Sequence, residues 1–147
     1  MTVPAPGTDP PGETWRIYGV VAASWAAGSV VAVLVHSLFL ISPHMRSLGY
    51  GDLGWTLWTI FALCFVFGPL AAGPPTAVYL LCRPPGHRLG TRGGWATLAA
   101  GGIAASIGGV FAEYLRLGWG GVLLPAAVWG VCAAAAAGTA RPPEPEP

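Results

Sequence analysis

The chain contains no lysine, no asparagine and no glutamine. Its basic residues are all arginine, and only 9% of its 147 residues are charged, where a soluble domain carries roughly a quarter. Net charge is +1, which gives no support for a nucleic-acid footprint. The three cysteines, Cys64, Cys82 and Cys132, lie far apart and form no CxxC pair, which argues against a disulfide framework or a zinc site. Cys64 and Cys132 sit inside apolar runs, where a free thiol behaves as a small hydrophobe. There is no Ser-His-Asp set and no paired carboxylates, so the chain reads as a protein without catalysis. The loop CRPPGHRLGTRGG (82–94) has four glycines and three arginines, but no strand precedes it and no Lys-Ser/Thr follows, as a phosphate loop requires. Haem ligation would need facing imidazoles, and His44 and His87 fall in loops on opposite sides. No cofactor is expected.

What the chain has instead is apolar length. Hydrophobic residues make up 54% and mean hydropathy is +0.60. Four runs stand out, at 17–41, 55–81, 95–115 and 120–137. Each reaches or approaches the ~20 helical residues that cross a bilayer core. The expected fold is all-α: a polytopic membrane protein with four transmembrane helices over 15–138 and short loops. The Pro-rich ends, 1–14 and 139–147, cannot bury apolar surface and read as disordered tails. The first run is too long for a signal peptide core, carries Asp9 and Glu13 on its N-terminal flank, and is read as a retained helix. Abundant Gly and Pro, with arginine as the sole base, have GC-rich codons and point to a bacterial genome.

With four spans, Arg16, Arg83, Arg88, Arg92 and Arg141 share one side, and Arg46 and Arg116 the other. The positive-inside rule then places both termini in the cytoplasm, in a multi-pass protein of the plasma membrane. Trp15, Tyr18, Tyr79 and Trp95 fall at the inner interface, and Tyr50, Trp55, Trp58, Tyr114 and Trp119 at the outer one. Trp25 and Trp129 lie deeper, at packing positions.

Residues 47–52, Ser-Leu-Gly-Tyr-Gly-Asp, resemble the selectivity-filter string of potassium channels, whose carbonyls replace the water shell of the ion. In that family a pore helix precedes the filter. Here only Ser42 to Arg46, including Pro43, separate the string from the first run, too little chain for such a helix. The residues themselves specify a tight turn at Gly49 and Gly51, with Asp52 capping the second span.

Few polar groups remain. FGPLAAGPP (67–75) loses backbone donors at Pro69, Pro74 and Pro75, so the second helix is expected to bend or stop between Gly68 and Pro75. In the third run Ala99, Gly102, Ser106 and Gly109 form a stripe that lets another helix approach closely and leads to Glu113. Ala22, Ser29 and Ala32 lead likewise to His36 in the first, and Gly130, Ala134 and Gly138 form a small-xxx-small row in the fourth. His36 and Glu113 are the ionisable residues well inside the runs. Counted from Ile17 and from Gly94, each lies about 28 Å along helices of the same direction. The first and third helices are therefore expected to pack together, with His36 meeting Glu113.

These features describe a non-catalytic assembly or accessory component that acts through helix–helix contacts. Its surroundings are the lipid bilayer and a second copy or another membrane protein, with no nucleic acid. The alternative is a small transporter or channel that uses the broken second helix and the His36/Glu113 pair.

Overall fold

A computed structural model describes residues 11–115 and 118–142; the side chains of Pro11, Glu113, Tyr114, Gly120 and Val122 also fall outside the description. The described residues are helical, with no strand beyond one isolated bridge between Arg88 and Arg141. Helix α1 (Pro11–Val35) continues as a π segment, His36–Leu40. A single turn, α2 (Pro43–Ser47), leads to α3 (Leu53–Phe61), a second π segment (Ala62–Phe67) and α4 (Gly68–Cys82). Helices α5 (Arg92–Tyr114) and α6 (Gly120–Gly138) complete the chain. Three helical stretches, Glu13–Leu40, Leu53–Cys82 and Arg92–Ala112, are long and apolar enough to cross a membrane, and the apolar part of α6, Leu123–Gly138, is shorter.

The first helix starts inside the segment expected as a tail. Proline is tolerated in a first turn, and Glu13 there complements the helix dipole. Glu13 also has partners: its Oε2 lies 3.1 Å from Arg83 Nη1, and its Oε1 accepts the Leu89 amide at 2.9 Å. Residues 1–10 and 143–147 of the expected tails lie outside the described residues.

Helices α1, α5, α6 and α4 pack in a ring, α1 on α5, α5 on α6, α6 on α4 and α4 on α1. Trp25 of α1 and Trp129 of α6 bridge the ring, stacked at 5.3 Å with planes 8° apart. The interior is made largely of small side chains, among them Ser29, Ala32, Ala72, Ala105, Ser106 and Ala133. Large apolar residues such as Phe39, Phe65, Leu70, Leu81, Leu123 and Val131 face outward. This distribution suits an apolar solvent, in which burying leucine against protein gains little over leaving it in lipid and close backbone approach holds helices together. Together with three helical stretches of membrane-spanning length, this arrangement is compatible with a helical membrane protein.

The α1–α5 pairing expected from the small-residue stripes is present, through different members on α1. A Cβ added at Gly28 would lie 2.9 Å from the Ile103 backbone and would overlap Ser106. One at Gly102 would overlap Ser24. Ser24 and Gly28 on α1 therefore interlock with Gly102 and Ser106 on α5.

Between the first two long helices the chain turns as its residues dictate. Gly49 and Gly51 have φ of 87° and 79°, and Asp52 Oδ1 accepts the Trp55 amide at 2.7 Å. The helix before Gly49 is one exposed turn, started by Ser42 and Pro43, and has no length to aim a filter.

Candidate functional site

The second span changes geometry before its prolines. The α-helix widens to π over Ala62–Phe67 and then runs as α from Gly68 through Pro74 and Pro75 to Cys82. The irregularity thus falls ahead of the stretch from Gly68 to Pro75. The physical reason is the ring of Pro69, which crowds the carbonyl one turn back and supplies no donor to it; widening that turn relieves the clash. Carbonyls of this region are met from α1: the Trp25 indole N–H donates to Leu63 O at 3.2 Å and the Tyr18 hydroxyl to Pro69 O at 2.9 Å. At the other π segment, Arg46 donates to the carbonyls of Ser37 (3.2 Å) and Leu38 (2.7 Å), and Thr56 of α3 donates to Ser37 Oγ at 3.1 Å. The carbonyls of Leu63, Pro69, Ser37 and Leu38 thus gain donors from other parts of the chain, as backbone groups released from α geometry require.

Helix α4 packs on both α1 and α6, whereas α3 packs on α1. The α3 half of the second span therefore stands away from α6, and two cavities open beside it, an outer one at the α3 end and an inner one at the α4 end. The outer one, about 450 Å³, is lined by Trp25, Ser29, Val33 and His36 of α1, Trp55 and Thr59 of α3, Leu63, and Ser106, Gly109 and Val110 of α5. The His36 ring sits 6.0 Å from that of Trp55, tilted by 36°. Ser29 Oγ is buried without a hydrogen-bond partner among the described residues, a state that costs about 1–3 kcal/mol. The inner cavity, about 550 Å³, runs between the second span and α6. Leu70, Pro74, Pro75 and Val78 line one wall and Pro125, Ala126, Trp129 and Gly130 the other.

Of the residues singled out in the sequence, His36 and Gly109 line the outer cavity. Gly102 and Ser106 form the α1–α5 crossing, and Ser106 also reaches that cavity. Pro74 and Pro75 line the inner cavity, and Pro69 is the second residue of α4. Glu113 belongs to α5, but its side chain, and with it the expected contact to His36, lies outside the described residues. No group of three His, Cys, Asp or Glu that could hold a metal ion occurs among the described residues.

The pair Glu13–Arg83 was not legible. Arg83 belongs to a basic loop whose arginines all read as topology signals, yet its side chain is only 5% exposed, close to the Tyr79 ring at 5.9 Å. The available signal was Glu13 itself, an acid on the flank of an apolar run that otherwise faces arginines. Near this pair the start of α1, the loop before α5 and the end of α6 come together. Arg88 and Arg141 exchange backbone hydrogen bonds of 2.7 and 2.9 Å, Thr91 Oγ1 bonds Thr139 Oγ1 at 3.1 Å, and Arg16 lies over the Trp95 ring at 5.8 Å. Comparison of the chain with known protein families, curated proteins and solved structures finds no match.

Proposed function

We propose that the chain is a four-span protein of the bacterial cytoplasmic membrane, with both termini cytoplasmic, that works without catalysis as an assembly or accessory component through helix–helix contacts. The observation that carries this reading is the outer face of α6. Gly138 has open space where a side chain would stand, and half-buried Ala134 lies one helical turn before it. The rows on α1 and α5 are already filled by each other. A vacant row of this kind on a lipid-facing helix is what a second transmembrane helix packs against. The orientation is supported by the five arginines at the end where Glu13, Arg83, Arg88 and Arg141 meet.

The test uses two differently tagged copies and the membrane proteins that co-purify with them in mild detergent. Ala134→Leu with Gly138→Leu is expected to lower recovery of the second copy or partner about tenfold, the equivalent of the 1–2 kcal/mol typical of such contacts. Equal recovery from both proteins would contradict the reading. Transport is the second reading. It is favoured by His36 on a cavity wall, at the start of a π segment, a type of distortion that often marks functional sites. Proton or small-cation flux into liposomes, lost in His36→Ala, would support it against assembly.

A further inference from the structure

We propose that the arginine-rich end of the bundle holds one anionic phospholipid, its phosphate between Arg16 and Arg88 and the start of an acyl chain laid along α1. Two further cavities meet there. One, about 390 Å³, is lined by Glu13, Arg16, Arg88, Gly90 and Trp95. The other, about 440 Å³, is lined by Arg16, Gly19, Val20, Ala23 and Trp95. Arg16 and Trp95 belong to both, so the two are continuous. Their chemistry differs. The first carries charge, and the second is apolar apart from the shared Arg16. Arg16, Gly19, Val20 and Ala23 follow one another at helical spacing on one face of α1, and Ala23 lies about 10 Å further into the span than Arg16. Gly19 has open space where a side chain would stand, so this groove has backbone for its floor.

Charge selects an anion. Glu13 is the one acid of the described lining, and both of its oxygens are engaged, Oε2 by Arg83 and Oε1 by the Leu89 amide. Arg16 and Arg88 are exposed and have no carboxylate partner among the described residues. Each is held in place, Arg16 by the Trp95 ring at 5.8 Å and Arg88 by its backbone pair with Arg141. Guanidinium groups bind phosphate oxygens through paired donors. Depth selects a lipid. The site lies at one end of Glu13–Leu40, a stretch of membrane-spanning length, where the phosphates of a bilayer lie, and Trp95 is the kind of ring that settles at that level. A free anion would leave the groove of Gly19, Val20 and Ala23 uncovered, whereas a chain attached to the phosphate covers it. Arg92 and Arg141 are exposed at the same end and line neither cavity.

The site rests on the membrane reading of the chain and is independent of the small residues on α6. The test is native mass spectrometry of the full chain in detergent with equal amounts of phosphatidylglycerol and phosphatidylcholine. One phosphatidylglycerol per chain is expected to be retained, preferred about tenfold over phosphatidylcholine. Arg16→Gln with Arg88→Gln should abolish the preference. Arg92→Gln with Arg141→Gln removes the same charge from the same end and should leave it intact. Ala23→Trp fills the groove from an exposed position of α1 and should lower retention several-fold with both arginines in place. Equal loss in the two arginine pairs would mean general surface charge only and overturn the proposal. Displacement by inorganic phosphate as readily as by phosphatidylglycerol would mean a free-anion site and overturn the lipid. Asp9, Glu144 and Glu146 lie outside the described residues. Retention only after their replacement by Asn, Gln and Gln would give the two arginines to the chain's own acids and overturn the lipid as well. A chain that stays in solution without detergent or lipid would overturn the membrane reading, and the site with it.

Discussion

Gly28 has no freedom to become anything larger. The Ile103 backbone stands 2.9 Å from where its Cβ would be, and backbone cannot step aside as a flexible side chain does. Gly28→Val should therefore cost about 1–3 kcal/mol, the usual penalty of overpacking, read as a lower unfolding temperature in detergent. Gly73, with open space around it, should accept alanine without such a loss. The buried pair Glu13–Arg83 makes a different prediction. Glu13→Ala removes the carboxylate from beside a buried guanidinium and should cost about 3 kcal/mol, whereas Glu13→Leu with Arg83→Met should recover much of it, since a matched apolar pair carries no desolvation cost. A single-variant loss no larger than that of the double variant would show that the charges do not act as a pair. The sequence carried the two residue scales unequally. Gly49, Gly51 and Asp52 are legible because a turn and a cap are local chemistry. Glu13–Arg83 is a contact between distant parts of the chain, and nothing in an arginine-rich loop says which arginine turns inward.

The elements follow the same division. Helical class and the long apolar runs are written in composition and length; the stretch Leu53–Cys82 extends the expected 55–81 by two residues and one, whereas Glu13–Leu40 and Arg92–Ala112 are shifted toward the N-terminus relative to the expected 17–41 and 95–115. The π segments are not written there, because widening a turn leaves hydropathy unchanged. Proline predicts that some backbone groups lose partners, but the side chains that replace those partners come from another helix. Tyr18 and Trp25 were read as an interfacial ring and a packing ring; both donate to carbonyls of the second span. Trp25→Phe keeps a ring over Trp129 and removes the donor to Leu63 O. It should destabilise the protein by about 1–3 kcal/mol, more than Tyr18→Phe, whose hydrogen bond is exposed. Thermal unfolding of the two variants checks the order. Asp52→Ala should cost about 1 kcal/mol through the lost cap of α3, measured in the same way.

At the scale of the whole molecule, the small-residue stripes foretold that α1 and α5 pack, while the position of α3, away from α6, had no sequence signal. That displacement opens the outer cavity, which gives His36 a setting that periodicity alone could not provide. Assembly through α6 requires that this helix cross the bilayer, because its outward small residues would otherwise face water. The Arg88–Arg141 bridge ties the end of α6 to the loop after α4. A crossing α6 therefore puts Gly90 and Ala140 on one side and Gly49 on the other. The direct measurement is labelling of single cysteines at these three positions, in a background lacking Cys64, Cys82 and Cys132, by a maleimide that cannot cross membranes. The account predicts that Gly49→Cys is labelled in intact cells and that Gly90→Cys and Ala140→Cys are labelled only after permeabilisation. Labelling of Ala140→Cys from outside, with Gly90→Cys protected, would leave α6 short of a crossing and contradict it.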